Sequence, residues 1–139
     1  MNSDKAIKDS GNRTEFSTGA VRDMHEGKGR YDLIPYECMR RLAVHCEKGA
    51  KKYGERNCEK GIPVSSLVDS AMRHLQKYNA GHQDEDHLTS AFWNIAFIMY
   101  MEDNFKGNND ILNLPWMNEV QANGKSNMQE REQNLQSLY

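Results

Sequence analysis

The side chains best able to do chemistry crowd the middle of the chain: Glu47-Lys48-Gly49-Ala50-Lys51-Lys52-Tyr53-Gly54-Glu55-Arg56-Asn57, then Asp69-Ser70-Ala71-Met72-Arg73-His74, then Asp84-Glu85-Asp86-His87. Carboxylates set among lysines and arginines suit a phosphate ester and its counter-ion together. Mg²⁺ takes hard oxygen ligands and keeps several waters, so a few carboxylates suffice when phosphate oxygens complete its shell. A metal-activated water can attack phosphorus while Lys and Arg offset the charge that develops. On that chemistry Glu47, Asp69, Glu85 and Asp86 are candidate ligands for Mg²⁺ or Mn²⁺, and Glu47, Asp69 and Lys51 are candidate catalytic groups. The candidate substrate-binding residues are Arg22, Lys28, Arg30, Lys52, Tyr53, Arg56, Asn57, Arg73, His74 and Asn94. Blander roles compete at several of these positions. Asp69 suits a helix start, the 84–86 acids suit a helix N-terminal dipole, and His74 suits a hydrogen-bonded core. Gly27-Lys28-Gly29-Arg30 lacks the spacing of a P-loop.

Three helices must position these groups. Pro35 fits a first helical turn, where its missing N–H costs nothing. Met39, Leu42, Ala43, Cys46, Ala50 and Tyr53 then recur at helical steps before Gly54, which predicts a helix over 35–53. Leu67, Val68, Ala71, Leu75 and Tyr78 predict a second over 65–80, with Ser65 or Ser66 as its cap. A third over 85–105 is apolar round much of its circumference, from Leu88 to Met101, as in a bundle or a subunit interface. No segment alternates with period two for long, so no strand is expected. The fold class is therefore all-α, a bundle of three main helices completed by oligomerisation.

The helices also set heights. At about 1.5 Å per residue, an antiparallel hairpin puts Glu47 ~9 Å before the end of the first helix and Asp69 ~6 Å into the second. The same rise brings Asn94 level with Asp69 and Arg73 and leaves Glu85 and Asp86 ~15 Å away. Two clusters result: Glu47/Asp69/Arg73/Asn94, and Asp84/Glu85/Asp86/His87 with His74 between them.

Composition narrows the class. The chain has 139 residues, 18 Lys+Arg against 20 Asp+Glu, and 37% apolar residues. That fits one domain with a thin core. Seven basic residues against three acids fall between Arg40 and Lys60, and six acids against one base between Asp84 and Asp110. The overall balance disfavours a general nucleic-acid binder. No apolar run approaches the ~20 residues that span a bilayer, and MNSDKAIKDS is too polar for a signal peptide. Cys38, Cys46 and Cys58 give an odd count without CxxC, against a disulfide framework. A cytoplasmic setting is expected. Residues 1–17 read as a mobile polar arm, 18–106 as the domain, and 107–139 as a tail with seven Asn and four Gln. Within that tail Leu112, Leu114, Pro115, Trp116 and Met117 form an apolar patch able to dock onto the bundle or a partner, and 128–139 could form a short helix.

Several motifs in order carry a resemblance: Ser17-Thr18-Gly19-Ala20-Val21-Arg22-Asp23, Gly27-Lys28-Gly29-Arg30-Tyr31-Asp32-Leu33-Ile34, Arg40-Arg41-Leu42-Ala43, Glu47 to Gly54, Arg56-Asn57, Asp69 to Leu75, Asp84 to Leu88, and Trp93-Asn94. Over roughly 17–100 the chain resembles the phage and bacterial dATP/dGTP diphosphohydrolases, which are similar to all-α MazG-like pyrophosphohydrolases. The resemblance implies an oligomeric helical bundle, a dimer or tetramer. It also implies a Mg²⁺-dependent cut between the α- and β-phosphates of dGTP or dATP, reshaping a nucleotide pool as in phage infection. Cys58 stands where that family commonly has Trp, which shifts the expected aromatic shelf to Trp93 or Tyr53. The MazG metal pattern is absent in clean form. A catalytically silent nucleotide-binding module and a helical adaptor remain as competing functions.

Overall fold

The structure, a computed structural model, describes residues 6–117. They fall into two compact units that divide between Pro35 and Tyr36. The N-terminal unit holds an antiparallel pair of three-residue strands, β1 (Arg13–Glu15) and β2 (Val21–Asp23), with Thr14 opposite Arg22. The expectation of no strand is corrected here. Segments this short show no readable alternation, and Asp23 does the organising by accepting from Lys28 and from the Ser10 backbone and hydroxyl.

The second unit is the bundle: α1 (Tyr36–Tyr53), α2 (Val64–Asn79) and α3 (His87–Asn104). Each lies within a residue or two of its predicted span. α3 packs along α2 and, over a smaller area, along α1. α2 buries Val64, Leu67 and Ala71 at helical spacing, whereas no residue of α1 is buried. The expected α1–α2 hairpin is thus replaced by an arrangement in which α3 is the shared neighbour.

Two findings concern the segment C-terminal to α3. Leu112 and Met117 join Val64, Leu67 and Met101 in the core, so the chain after residue 106 is part of the bundle up to the last described residue. Of the two docking options for the apolar patch, the bundle or a partner, the structure shows the first. Ser65 and Ser66 lie inside α2 and do not cap it; the N-cap position is Pro63, and the same segment serves the helix start. Asn113 accepts from the Ser65 N–H through Oδ1 at 2.9 Å and donates Nδ2 to the Ser65 hydroxyl at 2.7 Å. The expected helix over 128–139 lies outside the described residues.

Gly61 turns the chain into α2 with a φ of +105°, and a Cβ there would lie 3.0 Å from both Phe105 and Ile111. Only glycine satisfies that backbone and that space.

Candidate functional site

Two features of the bundle carry chemical capability. The first is a pocket of about 630 Å³ between α1, the 54–62 turn and α3. Trp93 and Phe97 stack at 4.5 Å between ring centroids, and His45 tilts against Trp93 at 5.7 Å. Tyr53, Arg56, Asn57 and Asn94, all expected to bind substrate, line the same space. Asn94 is nearly fully buried, and its Nδ2 donates to the Ser90 carbonyl at 2.8 Å. Arg56 is held by Glu59 at 2.9 Å and adopts a left-handed backbone, φ 57°. Cys58 also lines the pocket. Burial pushes its thiol pKa up, which makes it a neutral wall and a poor nucleophile. His45 was missed in the sequence. Burial, then Lys48, pushes its pKa down, so a neutral imidazole faces the pocket.

The second feature sits where α2 ends and α3 begins. His74 Nδ1 lies 3.0 Å from His87 Nδ1, and Glu85 Oε1 lies 3.4 Å from the first and 3.3 Å from the second. His87 is buried, and its Nε2 donates to Asp84 Oδ1 at 2.8 Å. That bond holds the Asp84 carboxyl below the usual carboxylate range. Burial pushes the His74 pKa down and favours its neutral ring. Among the described residues these three are the only group of three or more His, Cys, Asp or Glu placed to share one ion. It shares Asp84, Glu85 and His87 with the second expected cluster, but His74, expected to bind substrate, joins it and Asp86 does not.

The first expected cluster does not assemble within the chain. Glu47 is exposed and pairs with Lys51 at 3.4 Å, while Asp69, with 77% of its side chain exposed, pairs with Arg73 at 3.1 Å. Buried Asn94 shares no bond with either. Both helices pack chiefly on α3, so the hairpin contact that would have joined these carboxylates is not the one that organises the bundle. Asp86 follows its blander alternative. As the cap of α3 it accepts from the Thr89 N–H and hydroxyl, and Arg41 forks onto it at 2.5 and 3.0 Å. Of the four expected metal ligands, only Glu85 lies in a ligand-rich group, and that group is rich in nitrogen. The four carboxylates do not form an oxygen cage for Mg²⁺ within this chain.

Lys52 stands over the Tyr53 ring at 5.0 Å, and its hydrogen bond to Tyr53 raises its pKa. In the N-terminal unit, Lys28 pairs with Asp23 at 2.8 Å and Arg30 forks onto Asp32 at 2.7 and 2.8 Å, while Arg22 lies on β2.

A family model described as dATP/dGTP diphosphohydrolase, N-terminal, matches residues 18–111. The chain belongs to this family. Comparison with curated proteins and with solved structures gives no match. No helix among the described residues is long and apolar enough to cross a membrane.

Proposed function

We propose that the chain hydrolyses a purine deoxynucleoside triphosphate, dGTP or dATP, to the monophosphate and pyrophosphate. The observation that carries this reading is the aromatic pocket. Its volume lies within the ~300–1,000 Å³ of small-molecule sites, and it gathers Tyr53, Arg56, Asn57 and Asn94 beside Trp93. The base would stack on Trp93, Asn57 and Asn94 would meet its polar edge, and Arg56 with Lys52 would draw the phosphates. Water attacks the α-phosphorus, the bond from that phosphorus to the bridging oxygen breaks, and pyrophosphate leaves with that oxygen. Mg²⁺ or Mn²⁺ belongs to this reading as the counter-charge of the triphosphate. Because its expected ligands do not converge within one chain, no step is assigned to it.

The protein would act as a homo-oligomer. Support comes from α1, which buries no residue, and from the exposed row Leu88, Phe92, Ile95 and Met99 on α3.

Incubation with each of the eight common NTPs and dNTPs and Mg²⁺ or Mn²⁺ should release pyrophosphate from dGTP or dATP. Cleavage of none would end the enzymatic reading. Since the four carboxylates stand apart, a second reading is a silent nucleotide-binding module, for which tight binding with full recovery of intact ligand would speak.

A further inference from the structure

We propose that His74, Glu85 and His87 bind a divalent first-row transition ion (Mn²⁺, Fe²⁺, Co²⁺ or Zn²⁺) through two imidazole nitrogens and one carboxylate oxygen, all on one side of the ion. The three candidate atoms form a triangle with edges of 3.0, 3.3 and 3.4 Å. Ligands bonded at about 2.1 Å with angles of about 90–110° stand about 3.0–3.4 Å apart. Without an ion the triangle's three candidate ligand atoms depend on one shared proton. His87 donates its Nε2–H to Asp84, which leaves a lone pair on Nδ1. That lone pair then faces Glu85 Oε1 at 3.3 Å, so one His74 Nδ1–H has to be shared between two acceptors. A cation serves all three.

The surroundings also fit. A ligating imidazole commonly passes its other N–H to a carboxylate, which fixes tautomer and orientation, and Asp84 does this for His87. Burial of His87, with 1% of its side chain exposed, fixes one ligand, while Glu85, half exposed, leaves the opposite side of the ion open to water or a phosphate oxygen. Imidazole nitrogen suits later first-row ions, whereas Mg²⁺ prefers an all-oxygen shell. The site therefore differs in ligand set and in metal from the one expected of four carboxylates.

The test uses the full chain, stripped with chelator and titrated with Co²⁺ and with Mg²⁺ in the absence of nucleotide. One equivalent of Co²⁺ should bind, ~10-fold or more tighter than Mg²⁺, with weak visible bands of a nitrogen–oxygen site and no thiolate charge-transfer band. His74→Ala and Glu85→Gln should each weaken Co²⁺ binding ~10-fold or more, with helical circular dichroism unchanged, and Asp69→Asn should leave it unaltered. Should His74→Ala disturb the helices, His74→Gln serves in its place. A thiolate band, equal affinity for Mg²⁺, or binding lost in Asp69→Asn and kept in the His74 and Glu85 variants would overturn the proposal. Because no nucleotide is present, that failure would leave the proposed hydrolysis standing, and absence of hydrolysis would leave the metal site standing.

Discussion

Asp86 shows how one carboxylate can be read two ways and be resolved by its neighbours. Its position before an apolar helix fits a cap, and its place in an acidic run fits a ligand; Thr89 and Arg41 together occupy it. The two contributions separate by substitution. Asp86→Asn keeps a good cap but loses the ion pair, which at an exposed site contributes up to about 1 kcal/mol. Asp86→Ala loses both, and the cap alone is typically about 1 kcal/mol. Chemical denaturation at pH 7 should rank wild type above Asp86→Asn above Asp86→Ala. Arg41 holds the folded-state pKa of Asp86 far below its ordinary value. The ion-pair contribution is therefore present above the unfolded pKa and lost as pH falls through the folded one. The gap between wild type and Asp86→Asn should shrink below about pH 4, and a gap that widens in acid would contradict the assignment. Trp93 belongs to the same scale. Base stacking on an aromatic side chain contributes about 1–3 kcal/mol, so Trp93→Ala should weaken calorimetric binding of a non-hydrolysable dGTP analogue by ~10-fold or more, and unchanged affinity would move the base elsewhere.

The elements were legible where the physics is local. Met39 to Tyr53, Leu67 to Tyr78 and Leu88 to Met101 repeat at helical steps, and the structure has helices there. Hidden from sequence was the part that depends on distant partners. Asn113 caps α2 from 48 positions away, whereas the patch holding Leu112 and Met117 was legible as apolar and only its docking partner, this same bundle, was not. Asn113→Ala should cost about 1 kcal/mol in denaturant unfolding, and no loss would mean that solvent serves Ser65 equally well. Gly61→Ala combines an unfavourable φ with contacts to Phe105 and Ile111. It should cost about 1–3 kcal/mol, read as a fall in Tm. The candidate site divides the same way. Helix rise brings Glu85 to the end of α2, near Lys77 and Tyr78; that His74, about a turn earlier, meets Glu85 and His87 is seen only in the structure. Glu47 and Asp69 could be joined only by assuming which helices are neighbours, and α3 is the neighbour of both their helices.

At the scale of the whole molecule, a thin core and an apolar row left on α3 belong together. Leu88, Phe92, Ile95 and Met99 are each more than a third exposed, at spacings that fall on one helix face. Equilibrium sedimentation should give a mass above the 16.0 kDa monomer, and Phe92→Lys should lower it; a monomer at every concentration would refute assembly through this face. A second copy could also bring acids to the exposed Glu47 and Asp69. The central proposal is a cut of a purine deoxynucleoside triphosphate between its α- and β-phosphates, supported by the family membership and the aromatic pocket. Hydrolysis of dGTP and dATP in oxygen-18 water, with the products separated and weighed by mass spectrometry, tests it most directly. Attack at the α-phosphorus predicts one heavy oxygen in the deoxynucleoside monophosphate and none in pyrophosphate; label in pyrophosphate, or release of orthophosphate and a diphosphate, would contradict it.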